Sequence, residues 1–240
     1  MAERRLTVRF KVKDLVITEE NQGAFIRVIG LTAPQPNPQC LYLEGPGDSG
    51  KTTLMVARGT DRDLMSQKRS MYCHAAEILL AIRLDNYSAE EHLADMGEVG
   101  LLFIDNLEGF LEDVPLGPQA CKMLIETRKN AGLDTVVSAR IPMKDFPDPD
   151  IKEALQGFEV VGIPSLSSEG RVLLARNMLV AFARSAGKVV NASPSALEAI
   201  ANGIARDCGE IEPIIQRIVA DAPEGRPLNI GKEDLRILLA

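Results

Sequence analysis

The sequence predicts an α/β fold, a parallel sheet with helices on both faces over residues 1–164, followed by a small all-helical lid domain over residues 165–240. Three observations carry this. A glycine-rich loop stands between a short apolar run and a helix, short apolar strands then alternate with amphipathic helices, and beyond Pro164 only helical periodicity remains. At 240 residues the chain can bury a large core and divide into two unequal domains.

The elements follow in order. "RLTVRFKVK" alternates strictly, with Leu6, Val8, Phe10 and Val12 on one side and Arg5, Thr7, Arg9, Lys11 and Lys13 on the other, so it reads as an extended segment with one apolar and one basic face. "EENQGAFIRVIGL" reads as a helix, and the Pro-rich "TAPQPNPQ" cannot continue it. The apolar run Cys40 to Leu43 leads into the glycine loop and a helix from about Gly50. Strand-like "RSMYCHA" precedes a helix containing "AAEILLAIRL", and "GLLFIDN" precedes a helix containing "PQACKMLIETRKNAG"; "DTVVSAR" and "FEVVGIP" complete the strands. In the second domain "SSEGRVLLARNMLVAFARSAG" opens on capping serines and closes on Gly187, "SPSALEAIANGIA" has Ser193 as cap with Pro194 at the first helical position, and "GEIEPIIQRIVADA" and "KEDLRILLA" follow as helices.

The loop "GPGDSGKT" satisfies G-x-x-x-x-G-K-[ST] through Gly45, Gly50, Lys51 and Thr52. Pro46, Gly47, Asp48 and Ser49 fill its interior and Thr53 follows it. Because the loop leaves a strand and opens a helix, unpaired amide N–H groups and the helix dipole favour an anion there. Lys51 is expected to reach the outer phosphates of a nucleotide and the Thr52 hydroxyl to ligate Mg²⁺. The bland alternative is a merely flexible glycine turn. Asp48 is unexpected in such a loop, since a carboxylate repels a triphosphate. The G-x-G-E-S-G-K-[ST] loop of heterotrimeric G-protein α subunits resembles it, so an acid pointing outward is compatible with binding. In "GLLFIDN", Asp105 ends an apolar strand expected beside the glycine loop, where an aspartate holds the metal through water.

Composition removes other classes. With 45% hydrophobic and 25% charged residues and no long apolar run, no membrane span is expected, and the start "MAERRLTVRF" has no apolar signal core, which points to the cytoplasm. Net charge is −7, against a role in coating nucleic-acid backbones. Cys40, Cys73, Cys121 and Cys208 are scattered and read as reduced thiols. His74 and His92 lack ligand-spaced companions and receive neither a metal nor a catalytic role.

"RSMYCHAAEILLAIRLDNYSAEEHLADMGEVGLLFIDNLEGFLEDVP" and "DTVVSARIPMKDFP" resemble the AAA+ domain of the DnaA family of replication initiators. "IDNLEGF", the length and the ending "PLNIGKEDLRILLA" resemble its Hda-like regulators, which lack the DNA-binding domain. The resemblance implies an adenine-nucleotide-binding protein, with ATP or ADP and Mg²⁺, that controls replication initiation without a sequence-specific DNA-binding domain. Nucleotide would set the angle between base and lid, and DnaA or other AAA+ subunits would be its partners.

Several family positions that serve hydrolysis are changed here. The sensor 1 aspartate falls on Ala139 of "SARIP", with Ser138 and Arg140 kept, the arginine finger falls on Ala154 of "DIKEAL", and the sensor 2 arginine falls on Gly209 of "DCGEIEP". Asn106 stands at the second Walker B acid, leaving Asn106 and Ser138 as the possible catalytic residues. An arginine on the transferring phosphoryl group is worth about 10³ to 10⁵ in rate, or about 4 to 7 kcal/mol of barrier. Weak or absent hydrolysis is therefore expected, with Arg171 and Arg206 as the substitutes to examine.

In Hda-like proteins a short N-terminal peptide docks on the DNA polymerase sliding clamp, and Arg5 to Phe10 has its apolar spacing without its glutamine. The competing reading of that segment is an edge strand whose Lys and Arg face discourages pairing. Two alternatives to the regulator stay open. One is an active ATPase of the DnaC-like helicase-loader type, and the other a degenerate adaptor that binds no nucleotide.

Overall fold

In the computed structural model the chain is described over residues 15–31, 38–65, 70–84 and 89–235, with side chains throughout except at 60–65 and 89–92. The alternating segment Arg5 to Phe10 lies outside these residues, as does the chain after Leu235, where "KEDLRILLA" was expected to be helical. The described chain forms two compact units, one of Glu19–Pro164 with Leu15, and one of Ser165 onward with Val16–Thr18.

The first unit is built on five strands: β1 (Cys40–Glu44), β2 (Ser70–His74), β3 (Leu101–Asp105), β4 (Asp134–Ala139) and β5 (Glu159–Gly162). All pair in parallel, in the order β2-β3-β4-β1-β5. Every residue of β3 and β4 is buried, as expected of parallel strands covered on both faces. Side-chain alternation sorts them. Leu41, Leu43, Leu101, Phe103 and Val136 pack with α1 (Gln22–Ile29) and α2 (Lys51–Met65). Tyr42, Leu102, Ile104, Val137 and Ala139 face the opposite core, shared with α3 (Ala75–Leu84), α4 (Ala89–Glu98), α5 (Leu116–Asn130) and α6 (Pro149–Ala154).

β4 is inserted between the strand ending in Asp105 and the strand that carries the glycine loop, and Asp105 still reaches the loop at Thr52. Arg128 on α5 helps fix that insertion. Fully buried, it donates to Met96 O (2.6 Å), Val99 O (2.8 Å), Thr135 Oγ1 (2.9 Å) and Asp134 O (2.5 Å), tying the end of α4 to the start of β4. Burial pushes its pKa down to about 10, still charged at neutral pH.

The second unit follows the helical expectation with one addition. Helix α7 (Ser168–Ser185) starts at the Ser167 cap, whose hydroxyl accepts from Gly170 N (3.3 Å), and ends where Gly187 takes φ 65, a left-handed position that glycine adopts without cost. Helix α8 (Pro194–Glu198) has the Ser193 cap and Pro194 start, and runs on into a π-helical turn, Ala199–Ile204. Helix α9 (Cys208–Asp221) is capped by Asp207. The addition is a parallel pair, β6 (Val190–Ala192) with β7 (Leu228–Ile230). At three residues each, these strands are too short to display a period.

Candidate functional site

The glycine loop lies between β1 and α2 and is shaped by close backbone approach at its entrance. A Cβ on Gly45 would stand 2.1 Å from the carbonyl oxygen of Ile163, so only glycine fits beside β5. Ser49 N–H closes a turn onto Pro46 O (3.2 Å), and Leu54 N–H begins the helical ladder on Gly50 O (2.9 Å). Lys51, 6% exposed, folds back over the loop, its ammonium donating to Gly45 O and Pro46 O (2.6 Å each) and to Ser49 Oγ (3.3 Å). Burial draws the Lys51 pKa below the ordinary lysine value, opposed by Asp105 and Glu108 and reinforced by the positive charge of Arg140.

Asp105, at the C-terminal end of β3, is 5% exposed and surrounded by donors. Its Oδ2 accepts from the Thr52 and Tyr72 hydroxyls at 2.6 Å each. Its Oδ1 accepts from the Ser138 hydroxyl and, at 3.1 Å, from the Asn106 amide N–H, which also reaches Ser138 Oγ (3.1 Å). Asn106 adopts φ 57 and ψ 63, a left-handed turn that aims its amide back at the strand ends. The inserted β4 brings Ser138 to Asp105. Burial and the bond to Asp105 raise the Tyr72 hydroxyl above the ordinary tyrosine range, so it stays a donor.

These groups surround a cavity of about 140 Å³ lined by Gly47, Lys51, Thr52, His74, Asp105, Asn106, Ser138, Ala139 and Arg140. Of the site residues expected from the sequence, Gly47, Lys51, Thr52, Asp105, Asn106 and Ser138 meet here. Within the loop Pro46 and Gly50 are exposed, Gly45 and Asp48 partly so, and Ser49 buried. Thr53 is exposed on α2. Ala139, 1% exposed, brings only a methyl group to the wall. Ala154 is 2% exposed in the core beside α5, again without a polar side chain. In the second unit the Arg171 guanidinium donates to Ala205 O (2.7 Å) and Arg206 O (3.4 Å), where it caps the π-helical turn, and Arg206 is exposed.

Three further contributors were given no role from the sequence: Tyr72 and His74 on β2, and Arg140 after β4. The one signal available was position, since all three stand at or near the carboxyl ends of parallel strands, where such sheets place their ligands. His74, set aside above, lines the cavity, and its Nδ1 accepts from Ala76 N–H (3.3 Å), which leaves the ring proton on Nε2. The side chain of His92 is outside the described residues. Among the described residues no cluster of three or more His, Cys, Asp or Glu side chains is placed to hold a metal, and no helix is long and apolar enough to cross a membrane.

No protein-family model matches the sequence, and no curated protein does. Solved structures do. The chain is similar to domain III of the Thermotoga maritima replication initiation protein DnaA, with TM-score 0.74 and 17% identity over 95% of each chain. It is similar to AMPPCP-bound DnaA from Aquifex aeolicus, with TM-score 0.72 and 17% identity, over 88% of this chain and 65% of that one, so it spans about two thirds of that structure's length. It is also similar to DnaI, with TM-score 0.54 and 18% identity, over 65% of this chain and 88% of that one. The fold is the AAA+ P-loop fold of DnaA domain III.

Proposed function

We propose that the chain is an adenine-nucleotide-binding regulator of replication initiation, of the DnaA/Hda-like type, which holds ATP or ADP with Mg²⁺ and hydrolyses weakly or not at all. The observation that carries this is the convergence of Lys51, the Thr52 hydroxyl and Asp105 on one cavity at the mouth of the glycine loop, with Thr52 and Asp105 2.6 Å apart. In this reading the amides between Gly45 and Thr53 face the polyphosphate, and Lys51 exchanges the Gly45 and Pro46 carbonyls for the outer phosphates. Thr52 directly and Asp105 through water would hold Mg²⁺. Hard oxygen donors of this kind suit that ion, which takes its remaining ligands from phosphates and water. When bound, magnesium offsets charge on the outer phosphates.

The remaining groups support binding better than turnover. Asn106 cannot take a proton from water as a carboxylate can. The Ser138 hydroxyl is already committed to Asp105, and Ala139, Ala154 and Gly209 supply no charge where the family has it. The expected setting is the cytoplasm, with DnaA or another AAA+ subunit as partner and the sliding clamp as a further contact through Arg5 to Phe10. Likeness to AMPPCP-bound DnaA supports the nucleotide; the adenine preference and the regulatory role rest on the sequence resemblance.

A second reading is the active ATPase of the DnaC-like helicase-loader type. One series separates the readings: fluorescent ATP and ADP titrated with Mg²⁺ into the chain and into Lys51→Ala, then single-turnover hydrolysis. Binding that falls at least about tenfold in the variant, without turnover, supports the regulator. Turnover supports the loader, and absence of binding leaves an adaptor without nucleotide. A regulator must also change the ATP turnover or oligomer size of DnaA when added to it, and no change in either refutes that role.

A further inference from the structure

The phosphate cavity contains a second cation that no motif assigns. Arg140 follows the last residue of β4 and lines the cavity with Lys51, Thr52 and Asp105. Its guanidinium lies over the glycine loop, since a Cβ on Gly47 would meet Arg140 Nε at 3.4 Å, Cζ at 3.5 Å and Nη2 at 3.9 Å. The backbone beneath it is held from β3's side of the sheet. Glu108 Oε1 accepts the amide N–H groups of both Arg140 and Ile141, the latter at 2.9 Å, while Glu108 Oε2 is buried without a partner. Glu108 therefore grips the main chain and leaves the guanidinium uncommitted.

Among the described residues, other arginines of the first unit are engaged. Arg27 pairs with Glu159 and Arg83 with Asp113 (2.7 Å each), and Arg128 is spent on buried carbonyls. The Arg140 guanidinium has no hydrogen-bond or ion-pair partner among the described residues, yet it sits where its charge and that of Lys51 overlap. The two cations around one glycine loop repel each other, and a polyphosphate between them removes that repulsion. A planar guanidinium also suits two phosphate oxygens at once.

We propose that Arg140 is a specificity residue for the terminal phosphate of a nucleoside triphosphate, distinguishing it from a diphosphate across the loop from Lys51. The proposal rests on the nucleotide site described above. Lys51 and the loop amides serve both nucleotides, whereas Arg140, reaching over Gly47 from the far wall, serves the outermost phosphate alone. It acts within the chain, at the residue after Ala139, so it needs no neighbouring subunit.

The test is equilibrium binding of ATP and of ADP, each with Mg²⁺, to the chain, to Arg140→Ala and to Arg140→Lys, with circular dichroism as a check on folding. Arg140→Ala is expected to weaken ATP at least tenfold and ADP less than twofold, with Arg140→Lys between. Equal weakening of both nucleotides, or of neither, while the unaltered chain binds both, overturns the role of Arg140 alone. Absence of binding by the unaltered chain removes the nucleotide site and this role with it. If Arg140→Ala does not fold, the ATP-to-ADP ratio of Arg140→Lys decides, and a ratio unchanged from the unaltered chain overturns the proposal.

Discussion

Asp105 receives hydrogen bonds from Thr52, Tyr72, Ser138 and Asn106, residues 53, 33, 33 and 1 positions away. Only Thr52 among the hydroxyl donors could be tied to it from a motif. Tyr72 is read from sequence as one of several apolar residues in a strand, and its partnership depends on the register that sets His74 opposite Asp105. A hydrogen bond to a buried carboxylate contributes about 1.5 to 3 kcal/mol. Tyr72→Phe leaves three donors in place, so denaturant unfolding should report a loss of about 1 to 2 kcal/mol; an unchanged midpoint would mean the bond contributes nothing. The sequence shows Arg140 only as a position kept from a family stretch; its place over Gly47 arises from the end of β4 meeting a loop 93 positions earlier.

At the scale of elements the strands were legible because parallel strands buried on both faces leave apolar runs, as in "LLFID". Strand order was not, since hydrophobic period carries no record of neighbours, and the insertion of β4 between β1 and β3 had to come from the fold. Helix α4 and the β6-β7 pair were also missed. The first carries a mixed composition, "AEEHLADMGE", and the second is too short to show alternation. Packing between elements is testable at Gly117 in the first turn of α5. A Cβ there would stand 1.9 Å from Phe110 O in the preceding 3₁₀ turn, Leu107–Glu112. Gly117→Ala should therefore cost about 1 to 3 kcal/mol in denaturant unfolding, and a neutral result would contradict the tight approach. Strand β2 offers a chemical probe. Burial, helped by Glu77, raises the Cys73 thiol from 9.0 to about 11. Its thiolate fraction at pH 8 is about a hundredfold lower in the folded than in the unfolded chain. Mapping of alkylated peptides by mass spectrometry should show Cys73 protected by at least that factor, and equal labelling in both states would contradict its burial.

For the whole molecule, the two compact units divide at Pro164, where the sequence switches from alternating strand and helix to helix alone, and the glycine loop stands out in its spelling. What spelling could not give is where these side chains sit, with Lys51 bonded to the loop's own carbonyls and Asp105 to the protein's own hydroxyls. Under the proposed function, nucleotide binding would exchange those bonds for bonds to the ligand. Because a ligand stabilises only the state that binds it, nucleotide at about 100 times its dissociation constant should add about 2.7 kcal/mol to the first unit. That gain should appear as a higher melting temperature that Lys51→Ala does not share.

We propose that the loop from Gly45 to Thr53 is a polyphosphate site. Calorimetric titration of ATP and Mg²⁺ into the unaltered chain should then show one site per chain, lost or weakened at least about tenfold in Lys51→Ala. No heat of binding at millimolar nucleotide, or equal affinity in the variant, would contradict it.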